Sequence, residues 1–233
     1  MAGYHPGPLV EATLLRRYQR FLADVRLPCG GQATAHCPNP GRMTASMPSE
    51  GAILLSDHGC GGRRKLRYTW ELSRCQETWV LVNTAQANRL VGLALRSGAI
   101  PELGGYASVR AEVPAGSSRL DFLLGDRCYL EVKQVTLVRG AVASFPDAPT
   151  ARGVRHLREL QQRVRDGARA VIFFLVGRED AEHFRPAEDV DPEYARELKM
   201  SVEEGVELLV YRAAVRPDWI GLERRLPYSL DGG

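Results

Sequence analysis

The sequence predicts a protein of the mixed α/β (α+β) class, in which a small β-barrel precedes a mixed sheet flanked by helices. Residues 1–83 contain short apolar runs broken repeatedly by Gly and Pro, whereas helical periodicity alternates with apolar strands from Thr84 onwards. The 233 residues are 44% hydrophobic and 25% charged, as in ordinary globular proteins. We therefore expect two domains, residues 1–83 and 84–233.

The first block has the sequence pattern of about five short strands. They are expected at 21–25, 32–37, 52–56, 66–74 and 79–83. Residues 11–18 form the one window in which a short amphipathic helix is an alternative. About five strands in about 80 residues are typical of a small barrel, of which the OB-fold is a common kind.

The second block alternates strands and helices. Thr84 can cap a helix whose apolar residues, Leu90 to Leu95, precede a stop at Gly98. Further strands are expected at 106–113, 120–124, 128–135, 171–176 and 206–215, and further helices at 150–166 and 191–204. The run 171–176 is continuously apolar, which is typical of a strand buried on both faces.

Positive charge is concentrated in the first block. Residues 1–83 contain 10 basic and 6 acidic residues, and the remainder contains 21 and 22. The whole chain carries a formal charge of +3. This distribution predicts weak, salt-sensitive binding of nucleic acid, unless the positive residues of the barrel share one face.

Two acidic residues and a lysine are expected to converge on the predicted hairpin of the second block. If a three-residue loop joins its strands, Leu124 pairs with Cys128 and Asp121 lies opposite Glu131. Period-two alternation places Lys133 on the same face as Glu131. Neighbouring carboxylates repel each other, and a divalent cation such as Mg²⁺ or Mn²⁺ relieves that repulsion. A surface ladder of ion pairs is the alternative, but the apolar flanking residues favour a site near the core.

The helix expected at 150–166 adds a polar stripe beside its apolar face. Arg152 and His156 lie in its first turns, where backbone N–H groups favour an anion, so a phosphate could bind there. The alternative is a solvated helix side, which we prefer for Glu159 and Arg163.

A basic and aromatic segment in the first block could bind a single nucleic-acid strand. It comprises Arg63, Arg64, Lys65 and Arg67 followed by Tyr68 and Trp70 on alternate positions. Cations bind phosphates and rings stack on bases in such grooves. A solvated loop followed by core aromatics is an equally good interpretation. Four further arginines could extend the patch: Arg16, Arg17, Arg20 and Arg42.

Many segments of the chain, in order, resemble the sugar fermentation stimulation protein A family of bacteria and archaea. The similar segments are 17–18, 20–25, 36–39, 68–72, 88–90, 118–122, 131–133, 135–137, 145–148, 152–153 and 156–160. The sequence departs from the family at Pro40, where the family has Thr, and at Pro149, where it often has Val. Both departures leave the candidate site residues intact.

The resemblance implies an OB-like barrel joined to a restriction-endonuclease-like domain of the PD-(D/E)XK type. Members of the family are described as binding DNA non-specifically, with a suggested regulatory role in sugar (maltose) metabolism. In restriction-endonuclease-like nucleases, an Asp on one strand and Glu-x-Lys on the next carry the metal and the catalytic amine. Asp121, Glu131 and Lys133 match that pattern.

The same resemblance implies two further contributions to a metal site. The backbone carbonyl of Val132 commonly completes such a site, and an additional acid usually comes from the preceding helix or strand. Glu102 or Glu112 could supply that acid, and the sequence does not choose between them.

Two functions follow as hypotheses. The first is a Mg²⁺- or Mn²⁺-dependent nuclease that binds single- or double-stranded DNA, and the second is a non-catalytic DNA-binding regulator of sugar metabolism. An enzyme acting directly on a sugar finds little support, since no phosphate-binding loop of a sugar kinase is present and glycosidase chemistry gives Lys133 no role. The sequence contains no apolar run of membrane-spanning length, so we expect a cytoplasmic protein without a membrane partner, and a homo-oligomer is possible.

Overall fold

The computed structural model describes residues 2–48, 50–59, 64–116 and 118–231. Over these ranges the strands form a six-stranded sheet, a seven-stranded sheet and a small three-stranded sheet. The three α-helices of these ranges all follow the six-stranded sheet in sequence; two pack on the seven-stranded sheet, and the third packs on the second helix and on the three-stranded sheet. The predicted mixed α/β class is confirmed.

The six-stranded sheet forms the N-terminal barrel. Its strands are β2 (Leu9–Tyr18), β3 (Leu22–Arg26), β4 (Gln32–His36), β5 (Ala52–Asp57), β6 (Tyr68–Cys75) and β7 (Thr78–Leu81), and they follow a two-residue strand, β1 (Gly3–Tyr4). The order is β4-β3-β2-β5-β6-β7, and an additional pairing of β4 with β6 closes the sheet. The alternative of a helix over residues 11–18 is wrong, because these residues pair in β2 with both β3 and β5.

The second domain contains two sheets and the helices. The seven-stranded sheet uses β1 with β8 (Val109–Ala115), β9 (Ser118–Leu124), β10 (Cys128–Val135), β13 (Arg169–Val176), β15 (Glu207–Val215) and β16 (Ile220–Arg225). The three-stranded sheet contains β11 (Leu137–Arg139), β12 (Val142–Phe145) and β14 (His183–Pro186). The helices are α1 (Thr84–Arg96), α2 (Ala151–Arg165) and α3 (Pro192–Glu203).

The large sheet is mixed and is covered on both faces. Its order is β1-β16-β15-β13-β10-β9-β8, with β13 parallel to both β10 and β15. Alternate residues of β13 enter two different cores: Phe173 belongs to the core that contains Leu90 of α1, and Phe174 to the core that contains Leu157 of α2. Burial on both faces explains why this strand is continuously apolar.

The predicted pairing of Leu124 with Cys128 is confirmed. Leu124 pairs with Cys128 and Phe122 with Leu130, so a three-residue loop joins β9 to β10. Leu130 and Val132 face the core beneath α1, which leaves Glu131 and Lys133 on the face toward α2. The length of the turn thus determines which side chains of β10 lie on the face toward α2.

Further features differ from the sequence-based expectations, besides the strands β1 and β2. The strand over residues 206–215 is followed by another, β16, which pairs antiparallel with it. The small β11-β12-β14 sheet was not predicted. Asn83 rather than Thr84 caps α1, because its side chain accepts a hydrogen bond from the backbone N–H of Ala85.

No helix in the described part of the chain has the length and apolar character needed to cross a membrane.

Candidate active site

A cavity of about 640 Å³ lies between the barrel and the large sheet. The barrel contributes Arg20, Asn39, Pro40 and Gly41, and the second domain contributes residues of α1, β9, β10 and the start of α2. Asp121, Glu131, Val132, Lys133, Arg152 and His156 all line it. The cavity therefore brings together the three residues predicted to be catalytic, the predicted backbone ligand and both predicted phosphate contacts. Pro40 and Pro149, the two departures from the resembled family, line it as well.

Glu131 is at the centre of a buried hydrogen-bond network. Only 3% of its side chain is exposed, and its Oε1 atom accepts a hydrogen bond of 2.6 Å from Nζ of Lys133. The same oxygen contacts Nδ1 of His156, whose side chain is also buried. Lys133 Nζ lies 3.3 Å from that nitrogen. Strand β10 and helix α2 thus hold a carboxylate, an amine and an imidazole in mutual contact.

Arg152 determines which nitrogen of His156 carries the proton. Its Nε–H donates to His156 Nε2 at 3.3 Å, and a guanidinium can only donate. Nε2 is therefore the acceptor, which leaves Nδ1 as the N–H that donates to Glu131. Both ring nitrogens thus have protein partners, and His156 holds Glu131 in place. That His156 also binds a phosphate stays a prediction.

Asp121 approaches the site from the neighbouring strand. Its Oδ1 atom accepts a hydrogen bond of 2.6 Å from Nδ2 of Asn88, and its Oδ2 atom accepts one of 2.7 Å from the backbone N–H of Val132. Helix α1 and strand β10 therefore fix both oxygens. The backbone of Val132, predicted as a metal ligand through its carbonyl, orients Asp121 through its N–H.

The two carboxyl groups have opposite pKa shifts. Burial, together with the nearby charge of Glu131, raises the pKa of Asp121 to about 6. Burial alone would also raise the pKa of Glu131, but Lys133 and His156 outweigh it and hold that pKa below its ordinary value. Of the two carboxyl groups, Asp121 is consequently the easier one to protonate. A cation near both groups would counteract the rise in the pKa of Asp121.

One oxygen of the site has no protein partner. Glu131 Oε2 is buried and accepts no hydrogen bond from the residues that the structure describes. A buried carboxylate oxygen without a donor is unfavourable unless a cation or water occupies the space beside it. Glu131 Oε2 and the Asp121 carboxylate are thus the oxygens that could bind a divalent ion.

The donor set is small. Among residues 2–48, 50–59, 64–116 and 118–231, no group of three or more His, Cys, Asp or Glu side chains has the geometry of a metal site. Two carboxylates are nevertheless typical of Mg²⁺, which keeps several waters and shares its remaining positions with substrate phosphates. The residues present fit an ion of that kind and do not form a closed protein cage.

Glu102, one of the two acids considered as a third ligand, lies elsewhere. It belongs to a short 3₁₀ turn, Pro101–Leu103, that follows α1. Its carboxylate accepts hydrogen bonds of 2.8 Å from the Tyr211 hydroxyl and 2.9 Å from Arg225. The prediction that it supports the metal site is wrong, because β15 and β16 hold it away from the cavity.

Glu112, the other acid, is also outside the cavity. The pairs on either side of it leave Glu112 opposite Asp121 in the register of β8 and β9, but its side chain is exposed. Its backbone has a φ of 55°, an unfavourable value for a residue with a side chain. The pairing of β8 with β9 skips Glu112 at this point, although β8 itself continues to Ala115. Glu112 does not line the site, so the prediction of a supporting carboxylate here is wrong too.

The predicted aromatic platform on the barrel is wrong. Tyr68 is 8% exposed and Trp70 is fully buried in the barrel core. The indole N–H of Trp70 donates to the carbonyl of Leu72. Both rings fill the barrel, as in the alternative interpretation, because β6 is covered on both sides.

The basic residues predicted to bind nucleic acid, apart from Arg17, are exposed where the structure describes them, and some of them pair with acidic side chains. Arg20, Arg42, Arg64 and Lys65 are exposed, and Arg64 donates to His58 Nε2 at 2.8 Å. Arg16 pairs with Asp24 at 2.7 Å, and Arg67 makes a bidentate pair with Asp57. Arg63 lies outside the described residues. Of this set, Arg20 lines the cavity.

Arg17 has a structural position rather than the predicted binding one. Its guanidinium donates to the backbone carbonyls of Asn39 and Gly41 at 2.8 and 3.0 Å. These carbonyls belong to the loop that forms the barrel side of the cavity. The loop carbonyls thus occupy one end of this guanidinium, whereas its buried Nε has no hydrogen-bond partner among the described residues.

A hydrogen bond from a backbone N–H to a side-chain carboxylate joins the two walls of the cavity. The N–H of Met43, in the barrel, donates to Oδ2 of Asp147 at 2.9 Å. Gly41 packs so closely on the same carboxylate that a Cβ atom there would collide with it. The loop after β4 and the loop before α2 are thus held at a fixed separation.

Asn88 and Asp147 were missed by sequence reasoning. Thr84 and Asn88 are four residues apart, so they share the face of α1 that turns away from its apolar stripe. That spacing was a usable signal for Asn88. Asp147 carries no local signal, since its contact with Met43 joins residues 104 positions apart.

Comparison with known proteins supports the fold. A family model described as the sugar fermentation stimulation protein RE domain matches residues 85–219, and one described as the SfsA N-terminal OB domain matches residues 15–82. A solved structure, that of Pyrococcus furiosus SfsA in complex with Ca²⁺, is 28% identical and covers 98% of this chain and 99% of its own, with a TM-score of 0.90. The predicted OB-like barrel is confirmed.

Curated relatives match over nearly their whole length. The sugar fermentation stimulation protein homolog of Pelobacter propionicus is 50% identical over 227 residues, 96% of this chain and 98% of the relative. The homolog of Geobacter metallireducens is 50% identical over 231 residues, 97% of this chain and 99% of the relative. With both family models matched in order along the sequence, the chain belongs to the sugar fermentation stimulation protein (SfsA) family.

Proposed function

We propose that this protein is a divalent-metal-dependent nuclease whose active site contains Asp121, Glu131 and Lys133. The observation that carries the proposal is the buried contact of Glu131 with Lys133, beside Asp121, in a cavity bordered by a basic barrel. Two carboxylates and an amine held together in this way are expensive to bury. A site that hydrolyses phosphodiesters would use both carboxylates and the amine.

The carboxylates support a metal. Glu131 Oε2 lacks a protein donor, and the pKa of Asp121 is raised by burial and by Glu131. Mg²⁺ or Mn²⁺, when bound, would neutralise charge on a phosphate and make a bound water more acidic. The Ca²⁺ in the structure of the Pyrococcus furiosus relative is an ion with the same preference for oxygen ligands.

Lys133 and Arg152 supply positive charge to the same cavity. Glu131 holds the Lys133 ammonium at 2.6 Å, where it can stabilise negative charge that develops on a phosphate. Arg152 is exposed at the start of α2, where the helix N-terminus also favours an anion. Lys133 then acts on the reacting phosphate, and Arg152 binds a phosphate of the strand.

Nucleic acid is the substrate class that the charge distribution favours. Arg20, Arg42, Arg64 and Lys65 are exposed on the barrel, and Arg20 lines the cavity itself. Cationic side chains of this kind bind phosphates without sequence preference. The barrel would hold a strand and the second domain would cut it.

The second candidate function is DNA binding without cleavage, in regulation of sugar metabolism. The relatives' names favour it, since stimulation of sugar fermentation is an effect expected of a regulator. It is also favoured by the donor set, which contains no third acidic ligand among the described residues. In that case the nuclease-like scaffold would serve only to bind.

Cleavage of end-labelled single- and double-stranded DNA distinguishes the two functions. The wild type, Glu131→Gln and a control variant of an exposed α3 residue, Glu203→Gln, are incubated with Mg²⁺, Mn²⁺ or EDTA. The nuclease proposal predicts ion-dependent products from the wild type and the control and none from Glu131→Gln. If the wild type retards DNA but cuts it with neither ion, the regulator is the correct function.

A further inference from the structure

The hairpin between β2 and β3 ends in an unusual loop at the cavity. Tyr18 pairs with Leu22, so Gln19, Arg20 and Phe21 form a three-residue turn. Gln19 and Arg20 have φ values of 47° and 67°, a region that favours Gly and Asn. Retaining long side chains in this conformation costs stability, which points to a use for the side chains themselves.

Phe21 presents an aromatic ring to solvent at this turn. It is 43% exposed, and among the described residues it is one of four large apolar side chains with such exposure, the others being Leu15, Met47 and Met200. Its backbone is fixed, because its N–H donates to the carbonyl of Gln19 and its carbonyl accepts from the N–H of Cys37 at 2.8 Å. An exposed ring on a fixed backbone is the kind of surface on which a base can stack.

Arg20, the neighbouring residue, lines the cavity that contains Lys133 and Asp121. The loop Asn39 to Gly41, which also lines the cavity, is bound by Arg17 of β2, the strand that leads into the turn. The turn and this loop therefore form one rigid rim. Arg20 and Phe21 are adjacent on that rim, where we expect a nucleic-acid strand to enter the cavity.

We propose that this rim binds single-stranded nucleic acid, with a base stacked on Phe21 and a phosphate bound by Arg20, and so selects unpaired strands for the cavity. The inference rests on the proposed function of that cavity. The face of a base is available to a side chain only when the base is unstacked, as in single strands, loops and frayed ends. A cavity of about 640 Å³ also has the size of a small-ligand site, too small for both strands of a duplex.

Fluorescence of 2-aminopurine tests the stacking directly. A single-stranded oligonucleotide carrying this base, and the same oligonucleotide in a blunt duplex, are titrated with the full-length protein in EDTA so that binding is measured without cleavage. The variants are Phe21→Ala, Phe21→Trp and Leu15→Ala, the last removing a similarly exposed apolar side chain from β2.

The wild type should quench the single strand and bind it at least about tenfold more tightly than the duplex. Phe21→Ala should lose the quenching and bind about tenfold more weakly, within the range measured for base stacking, whereas Phe21→Trp and Leu15→Ala should behave like the wild type. Equal affinity for the duplex, or unchanged quenching in Phe21→Ala, would overturn the inference. If the protein quenches the single strand but never cuts DNA, the inference about Phe21 stands and the nuclease proposal is rejected. If the protein cuts duplex DNA and Phe21→Ala does not change that cutting, the nuclease proposal stands and the inference about Phe21 is rejected.

Discussion

His156 donates a hydrogen bond from Nδ1 to the buried Oε1 atom of Glu131. The same oxygen also accepts from Lys133, so one atom of β10 is held from two sides. Because Oε1 is fully occupied, the second oxygen of Glu131 is the one left for a ligand. This division of the carboxylate between protein donors and a free oxygen is what makes the cavity suitable for chemistry.

Removing His156 should therefore weaken both the fold and the site. His156→Ala takes a buried donor from Glu131, and we expect the free energy of unfolding to fall by about 1–3 kcal/mol. Urea denaturation at neutral pH measures this change. DNA cleavage should fall by about tenfold or more, since Glu131 would lose its fixed orientation.

His183→Ala is the matched control. That histidine belongs to β14 of the small sheet, contacts Ser229 and lies outside the cavity. It should unfold and cut nearly as the wild type does. Equal stability of the two variants would show that the contact between His156 and Glu131 contributes nothing.

The raised pKa of Asp121 predicts a pH-dependent stability in metal-free protein. Its folded pKa of about 6 lies above its ordinary value of 3.8, so between these pH values the folded state keeps a proton that the unfolded chain has lost. The free energy of unfolding should therefore decrease as pH rises from about 4 to about 6, and remain lower above that.

Asp121→Asn removes this dependence. An asparagine can accept from Val132 N–H and, after rotation of the Asn88 amide, donate to Asn88. Relative to the wild type, the variant should gain roughly 2–3 kcal/mol between pH 4 and pH 7, at about 1.4 kcal/mol per pKa unit. Urea titrations in EDTA at these pH values measure it. A constant difference between the two proteins would mean that Asp121 is ionised throughout.

Gly41→Ala should separate the walls of the cavity. The added Cβ atom would collide with the carboxylate of Asp147, which is held by the N–H of Met43. We expect a loss of about 1–3 kcal/mol in the free energy of unfolding, typical of overpacking.

Gly104→Ala is the control for that substitution, since its φ of −77° suits any residue and its nearest neighbour is at ordinary contact distance. Thermal unfolding of both variants would measure the difference. A Gly41→Ala protein as stable as the control would show that the two loops move apart freely.

Much of the second domain was predictable because its signals are local. The hairpin loop after Leu124 determined the register with Cys128, and alternation along β10 then placed Glu131 and Lys133 on one face. The buried strand β13 was evident from its apolar run alone. These inferences needed only the period of a strand and the length of a turn.

The barrel was harder, because burial there depends on long-range pairing. Tyr68 and Trp70 follow a basic segment and resemble a binding surface in sequence, but closure of the sheet between β4 and β6 buries both rings. Arg17 likewise has no local sign that it binds a loop about 22 residues away. Glu102 was one of two acids considered for the site because it precedes β9 in the chain, whereas Tyr211 and Arg225 hold it elsewhere.

The measurement that tests the central claim most directly compares Lys133→Ala with Lys199→Ala and the wild type. Lys199 pairs with Asp231 on the surface and serves as the matched lysine. Labelled DNA is incubated with each protein in Mg²⁺, Mn²⁺ or EDTA, and cleavage and gel retardation are recorded together. We expect the wild type and Lys199→Ala to cut only with a divalent ion, and Lys133→Ala to retard DNA equally but cut it at least about 100-fold more slowly. Cleavage by Lys133→Ala at the wild-type rate, or retardation without cleavage by the wild type in both ions, would contradict the proposed active site.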